Sequence, residues 1–272
     1  MPSSASAALA ASPLVLPGHA PMPVRLDGRR PRGQTVPLVL HLHGGAFTSG
    51  GVDSGECLAT LLAEAGAVVV TIGYPLAPAN PFPDAVEASY AALEWVNGAR
   101  ARLAGARAPL FLAGEEAGGN IAAGVAMMAR DRAGPTLAGL VLVAPMLDPC
   151  TATASQREAT REQVECKWSA GWRQYLRRPL DAEHPYAVPA HAQRLAGLPP
   201  TLVLAGEDDP MRDEAMAFAN RLAHAGIPVR TGMVPLTGWP ESLEKPLHPC
   251  PCAEAVRKQL EGFLTAPTPP PS

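Results

Sequence analysis

The chain has 272 residues, 47% of them apolar and 17% charged, which is enough apolar content to bury a core and excludes wholesale disorder. A formal net charge of -3 gives no overall basic footprint and argues against a nucleic-acid partner. Pro, Gly or a charge interrupts every hydrophobic stretch before it reaches the length of a membrane span.

Residues 1–34 read as an N-terminal approach or partial cap, in which Pro13, Pro17, Pro21 and Pro23 break the apolar stretch. From Pro37 the texture alternates: strand Pro37 to His43, helix Glu56 to Ala65, strand Ala67 to Tyr74, helix Ala85 to Val96, strand Pro109 to Gly114. The pattern continues with a helix from Gly119 to Arg130, strands Leu137 to Ala144 and Thr201 to Ala205, and a helix from Asp213 to Ala225. A strand from Val229 to Val234 and a helix from Ala253 to Leu264 close it. Such alternation predicts an α/β fold with a mostly parallel central sheet and helices on both faces. Residues 147–198 are too long for an ordinary connection and read as an inserted cap, with Gln156 to Trp172 at helical spacing. The domain thus runs over 35–264, and 265–272, Pro-rich, reads as a disordered tail.

Cys57, Cys150, Cys166, Cys250 and Cys252 are an odd, scattered set that suits a reducing compartment. With no basic N-terminal leader, the expected location is cytoplasmic. His248, Cys250 and Cys252 lie close together, but Pro249 and Pro251 stiffen the run and no fourth ligand is evident, so neither a metal nor a cofactor is expected. His41, alternating with His43 on a strand, reads as a hydrogen-bonded core histidine, and Met127 and Met128 as core packing.

Four segments carry chemistry. His43-Gly44-Gly45-Ala46 follows a strand and is a turn able to aim backbone N–H groups at an anion. Gly114-Glu115-Glu116-Ala117-Gly118-Gly119-Asn120 has the small residues of a sharp strand-turn-helix elbow with Glu116 at its tip. Asp209, before Pro210, sits where a strand-end carboxylate orients a histidine, although so many acids also suit a solvated helix start. Thr237-Gly238-Trp239 follows the last strand.

In this order the segments resemble the hormone-sensitive-lipase-like branch of the α/β-hydrolases, the bacterial esterase and acetyl-hydrolase group. His43 to Phe47 resembles that family's oxyanion turn. Tyr74-Pro75-Leu76-Ala77-Pro78 with Pro81 to Ala85 is similar to its Y-x-L-A-P and F-P segment, and Gly114 to Asn120 to its G-D-S-A-G-G-N elbow. Leu198 to Thr201, continued by Asp209 to Glu214, resembles its third block. The resemblance implies an α/β-hydrolase fold, an oxyanion hole from the backbone of Gly44, Gly45, Ala46 and Ala117, and Asp209 as the triad acid. It also puts Glu116 in the nucleophile's place and Thr237 in the base's.

A Ser-His-Asp hydrolase needs a hydroxyl activated by an imidazole that later protonates the leaving group. Glu116 and Thr237 supply neither, so ordinary esterase turnover is expected to be lost, leaving a ligand-binding pseudo-hydrolase whose Glu116 folds back into the oxyanion hole. The alternatives are an enzyme using Glu116 as general base or carboxylate nucleophile, and an ester hydrolase with a non-standard site, for which His248 is the candidate substitute base. The scarcity of aromatics predicts a pocket with mostly aliphatic walls for a small apolar or ester-like ligand, and a homodimer is open.

Overall fold

The structure is a computed structural model that describes residues 13–159, 166–234 and 251–266. Seven strands, β1 (Val24–Asp27), β2 (Leu38–Leu42), β3 (Val68–Ile72), β4 (Leu110–Glu115), β5 (Gly139–Val143), β6 (Thr201–Gly206) and β7 (Val229–Val234), form one sheet. Its order is β1-β3-β2-β4-β5-β6-β7; β1 runs antiparallel to β3 and all other neighbours are parallel. Every residue of β2, β3, β4, β5 and β6 is buried. These strands are near-continuous Val, Leu and Ala runs because both of their faces are covered.

The helices are α1 (Glu56–Glu64), α2 (Asp84–Leu103), α3 (Glu116–Asp131), α4 (Ala154–Ala159), α5 (Lys167–Tyr175), α6 (Arg212–His224) and α7 (Pro251–Leu264). On one face, Leu58 and Leu62 of α1 and Val256 and Leu260 of α7 pack on Val39, Val69 and Val141. On the other, Val86 and Leu93 of α2, Ile121 and Val125 of α3 and Phe218 of α6 pack on Leu38, Leu40 and Val203. Side-chain alternation along β2 therefore feeds two separate cores.

Several elements depart from the sequence reading. β1 lies inside the expected N-terminal approach, yet it joins the sheet by pairing Val24 with Ile72 and Asp27 with Val69. The expected helix Gln156 to Trp172 is interrupted: α5 begins afresh after Cys166, whose Sγ accepts the Ser169 N–H at 3.4 Å. α2 continues through Gly98 to Leu103, and α3 starts at Glu116 rather than Gly119. Thr265 still donates to Glu261 O, and residues 267–272 of the expected tail lie outside the described residues. Among the described residues no helix is long and apolar enough to cross a membrane.

Candidate active site

β4 ends on Glu115 and α3 begins on Glu116 with no residue between, so the chain reverses at one position. Glu116 takes φ +50°, a left-handed conformation that a non-glycine residue holds only when its surroundings enforce it. The enforcement comes from the first turn of α3, which is pressed against the ends of its neighbours. A Cβ on Gly118 would collide with the Leu42 carbonyl oxygen, and one on Gly119 would lie 2.8 Å from Pro145 Cβ. Met146 N–H donates to the Glu116 carbonyl at 3.0 Å and fixes the elbow from the β5 side.

Facing the elbow is the loop after β2, where Gly45, Ala46 and Phe47 take φ of +115°, +48° and +65°. Their consecutive positive φ values turn the Gly45 and Ala46 amides to the same side. Glu116 Oε2 accepts both, from Gly45 N–H and from Ala46 N–H at 3.0 Å. Its other oxygen, Oε1, accepts the Trp168 indole N–H at 2.7 Å and lies 3.7 Å from Lys167 Nζ. Glu116 is only 2% exposed, so three hydrogen-bond donors and a nearby ammonium replace water around the carboxylate. The two other backbone groups singled out with them behave differently. Gly44 N–H donates to Glu115 Oε1 at 3.1 Å. Among the described residues Ala117 N–H makes no hydrogen bond to the Glu116 carboxylate, which reaches forward to the loop instead of back over its own helix.

Trp168 and Lys167 come from α5, which is seated directly on the loop. A Cβ on Gly171 would collide with the Ala46 carbonyl oxygen, and Tyr175 stacks on Phe47 at a centroid distance of 4.1 Å and 3° between planes. Asp209, three residues past β6, is fully buried and accepts the Met211 N–H on Oδ1 at 2.8 Å.

The family described as alpha/beta hydrolase fold matches this chain over residues 39–237. The chain belongs to the α/β-hydrolase fold family. Its relatives place it in the hormone-sensitive-lipase-like branch. It is 34% identical over 200 residues to "Esterase LipI" of Mycobacterium tuberculosis, covering 71% of this chain and 62% of that protein. To "Gibberellin receptor GID1A" of Arabidopsis thaliana it is 32% identical over 223 residues, covering 76% and 64%. The solved structure "Bacterial Heroin Esterase" superposes with a TM-score of 0.81 at 29% identity, covering 94% of this chain and 83% of that one. The chain thus spans less than two thirds of the length of either of these two curated relatives.

Behind the oxyanion-type loop of this hydrolase-fold protein lies a buried polar chain. Glu115 Oε2 is 2.5 Å from His41 Nε2, and His41 Nδ1 is 3.0 Å from the Thr71 hydroxyl, so His41 is the hydrogen-bonded core histidine its alternation suggests. Tyr74 O–H donates to His43 O at 2.7 Å and its ring stacks on the His43 ring at 4.3 Å. Burial pushes the His43 imidazole below its usual range, and its Nδ1 lies 2.7 Å from Gly44 O, a donor's position.

Glu214, near the start of α6, is buried; it accepts the Leu147 N–H at 2.9 Å, and Gln156 Nε2 lies 3.5 Å from its other oxygen. Desolvation, reinforced by Asp148 and Asp209, pushes its carboxyl up to about 8.

A cavity of about 340 Å³ opens beside Glu116. Among the described residues its side-chain walls are Ala46, Thr48, Ser49, Ser54, Glu115, Glu116 and Lys167, with glycines between and no large aliphatic side chain, contrary to the expected aliphatic walls. The aliphatic residues are absorbed by the two cores flanking the sheet. Thr237 and His248 lie outside the described residues, as does Cys250. Among the described residues no three His, Cys, Asp or Glu side chains gather as a metal site.

The sequence reading missed Lys167, Trp168, Glu115 and Glu214 as members of this neighbourhood. A signal for the first two was present in the helical spacing that puts Gly171 one turn from Trp168, but nothing in that spacing names the surface they meet.

Proposed function

We propose that this esterase/lipase-family hydrolase-fold protein does not turn over esters by the Ser-His-Asp route and instead binds a small ligand in the cavity beside Glu116. In this reading Glu116 holds the nucleophile's position, Thr237 the base's and Asp209 the acid's. The observation that carries it is the Glu116 carboxylate resting on the Gly45 and Ala46 amides. An ester carbonyl needs those two donors for its developing oxyanion, and a resident anion denies them to it. Loss of the Ser or the His alone costs roughly 10⁶ in kcat in a comparable triad, so two replacements leave no ordinary turnover. The receptor named among the relatives is a precedent for ligand binding on this fold.

The reading of Glu116 as a general base is less well supported, because both its oxygens already accept hydrogen bonds or face an ammonium. The ligand is small enough for the cavity and ester-like, able to meet its hydroxyl and carboxylate walls.

Hydrolysis of p-nitrophenyl butyrate tests the proposal. Wild type and Glu116→Ser are expected to stay near the uncatalysed rate, whereas Glu116→Ser with Thr237→His gains turnover by roughly 10²-fold or more. Strong wild-type turnover that survives Glu116→Ala would overturn it.

A further inference from the structure

The net charge of -3 conceals a local excess of the opposite sign. The loop between β1 and β2 carries Arg29, Arg30 and Arg32, and the end of α2 with the loop after it carries Arg100, Arg102 and Arg107. The fold brings the two segments together. Arg30 Nη1 donates to Ala101 O at 3.1 Å, and Val36 N–H donates to Ala104 O at 3.1 Å. Arg29, Arg32, Arg102 and Arg107 are exposed, and Arg30 and Arg100 are partly buried.

Elsewhere on the protein arginines are commonly neutralised: Arg25, Arg130, Arg132, Arg178, Arg212 and Arg257 each pair with a carboxylate. Among the described residues none of the six on this edge has an ion-pair partner. Arg100 reaches Asn97 through one guanidinium nitrogen, while its Nε is buried without a partner among the described residues. It lines a shallow cavity of about 450 Å³ with Asn97, Thr136 and Glu94, the last being the one acid there. Like charges on two touching segments repel one another, so the edge gains most from an occupant that supplies several anions at once.

We infer that this edge is a docking surface for an acidic polypeptide segment. The two segments lead into the N-terminal ends of β2 and β4, whereas Glu116 and Gly45 follow the C-terminal ends of the same strands. A partner bound here leaves the cavity open. Its place and composition argue for a protein over other polyanions. Among the described residues the large exposed hydrophobic side chains, Val15, Leu180 and Met233, lie in neither segment, so neither segment offers an apolar side chain to a lipid surface. Neither segment carries an aromatic ring on which a nucleic-acid base would stack. Arginine is the cation favoured at protein interfaces and meets carboxylates two bonds at a time.

The test is fluorescence anisotropy of a labelled decaglutamate peptide with the full chain, at low and at physiological salt. Two charge-reversal variants are compared: Arg29→Glu, Arg32→Glu and Arg102→Glu on the edge, and Arg157→Glu, Arg177→Glu and Arg194→Glu elsewhere, with folding checked by circular dichroism. The expected result is salt-sensitive binding by wild type and by the second variant, weakened at least about tenfold in the first. Equal weakening in both variants, no binding by wild type, or tighter binding to a single-stranded oligonucleotide or to phosphatidylserine vesicles would overturn it.

Discussion

Two buried carboxylates in this protein face opposite situations. Glu116 is surrounded by donors, two amides, an indole N–H and an ammonium. Glu214 has the Leu147 amide and a long contact to Gln156, and sits near Asp148 and Asp209. Burial therefore favours its protonated form, with a folded-state value of about 8 against an ordinary 4.5. A raised folded value means that the contribution to stability is fully present below pH 4.5 and is lost as pH rises through about 8. Unfolding free energies from urea titrations across this window should fall by on the order of 1 kcal/mol per pH unit, and Glu214→Gln, which stays neutral, should flatten that slope. An unchanged slope in the variant would exclude Glu214 as its source. Glu116 was legible in the sequence because the elbow motif fixes which residue stands at its tip. The partners of Glu116 and the burial of Glu214 were not, because both depend on how the segment between β5 and β6 folds over the sheet.

The elements show the same division. The Val-rich strands follow from the sequence within a few residues, because both faces of the sheet demand continuous apolar runs, and the helices follow in place and order although α2 runs seven residues further than expected. β1 was missed because four residues, VRLD, between a Pro-rich stretch and Gly28 carry no strand signal of their own; its pairing with β3 supplies the stability. The break before α5 was missed because Cys166 is not among the usual capping residues. Whether α5 stays on the oxyanion-type loop depends on Gly171, where an added methyl meets the Ala46 carbonyl. Gly171→Ala is expected to lift α5 and lower stability by about 2 kcal/mol, as overpacking of a close contact does. Hydrogen exchange should then speed up selectively at the amides of α5. Unchanged exchange there would mean that the close approach is not maintained in solution.

At the scale of the molecule, the alternation of strands and helices was enough to anticipate the mostly parallel sheet covered on both faces, and the ordered motifs to anticipate the family. What alternation does not encode is the division of labour between its ends. The C-terminal ends of β2 and β4 present Gly45, Ala46 and Glu116 to one another, and the N-terminal ends present the arginine-rich edge. The lack of large aliphatic side chains in the described cavity wall follows from the same architecture, since these are drawn into the two cores and small residues, hydroxyls and carboxylates remain at the strand ends.

Glu116 is the resident occupant of a donor set made for an anion. Held on the same chain, its carboxylate has an effective concentration far above any millimolar competitor. Calorimetric titration of butyrate into wild type and Glu116→Ala tests this directly. No measurable binding to wild type is expected and millimolar binding to the variant, whose Gly45, Ala46 and Trp168 donors are left without an acceptor. Equal binding to both proteins, or none to a folded Glu116→Ala, would contradict it.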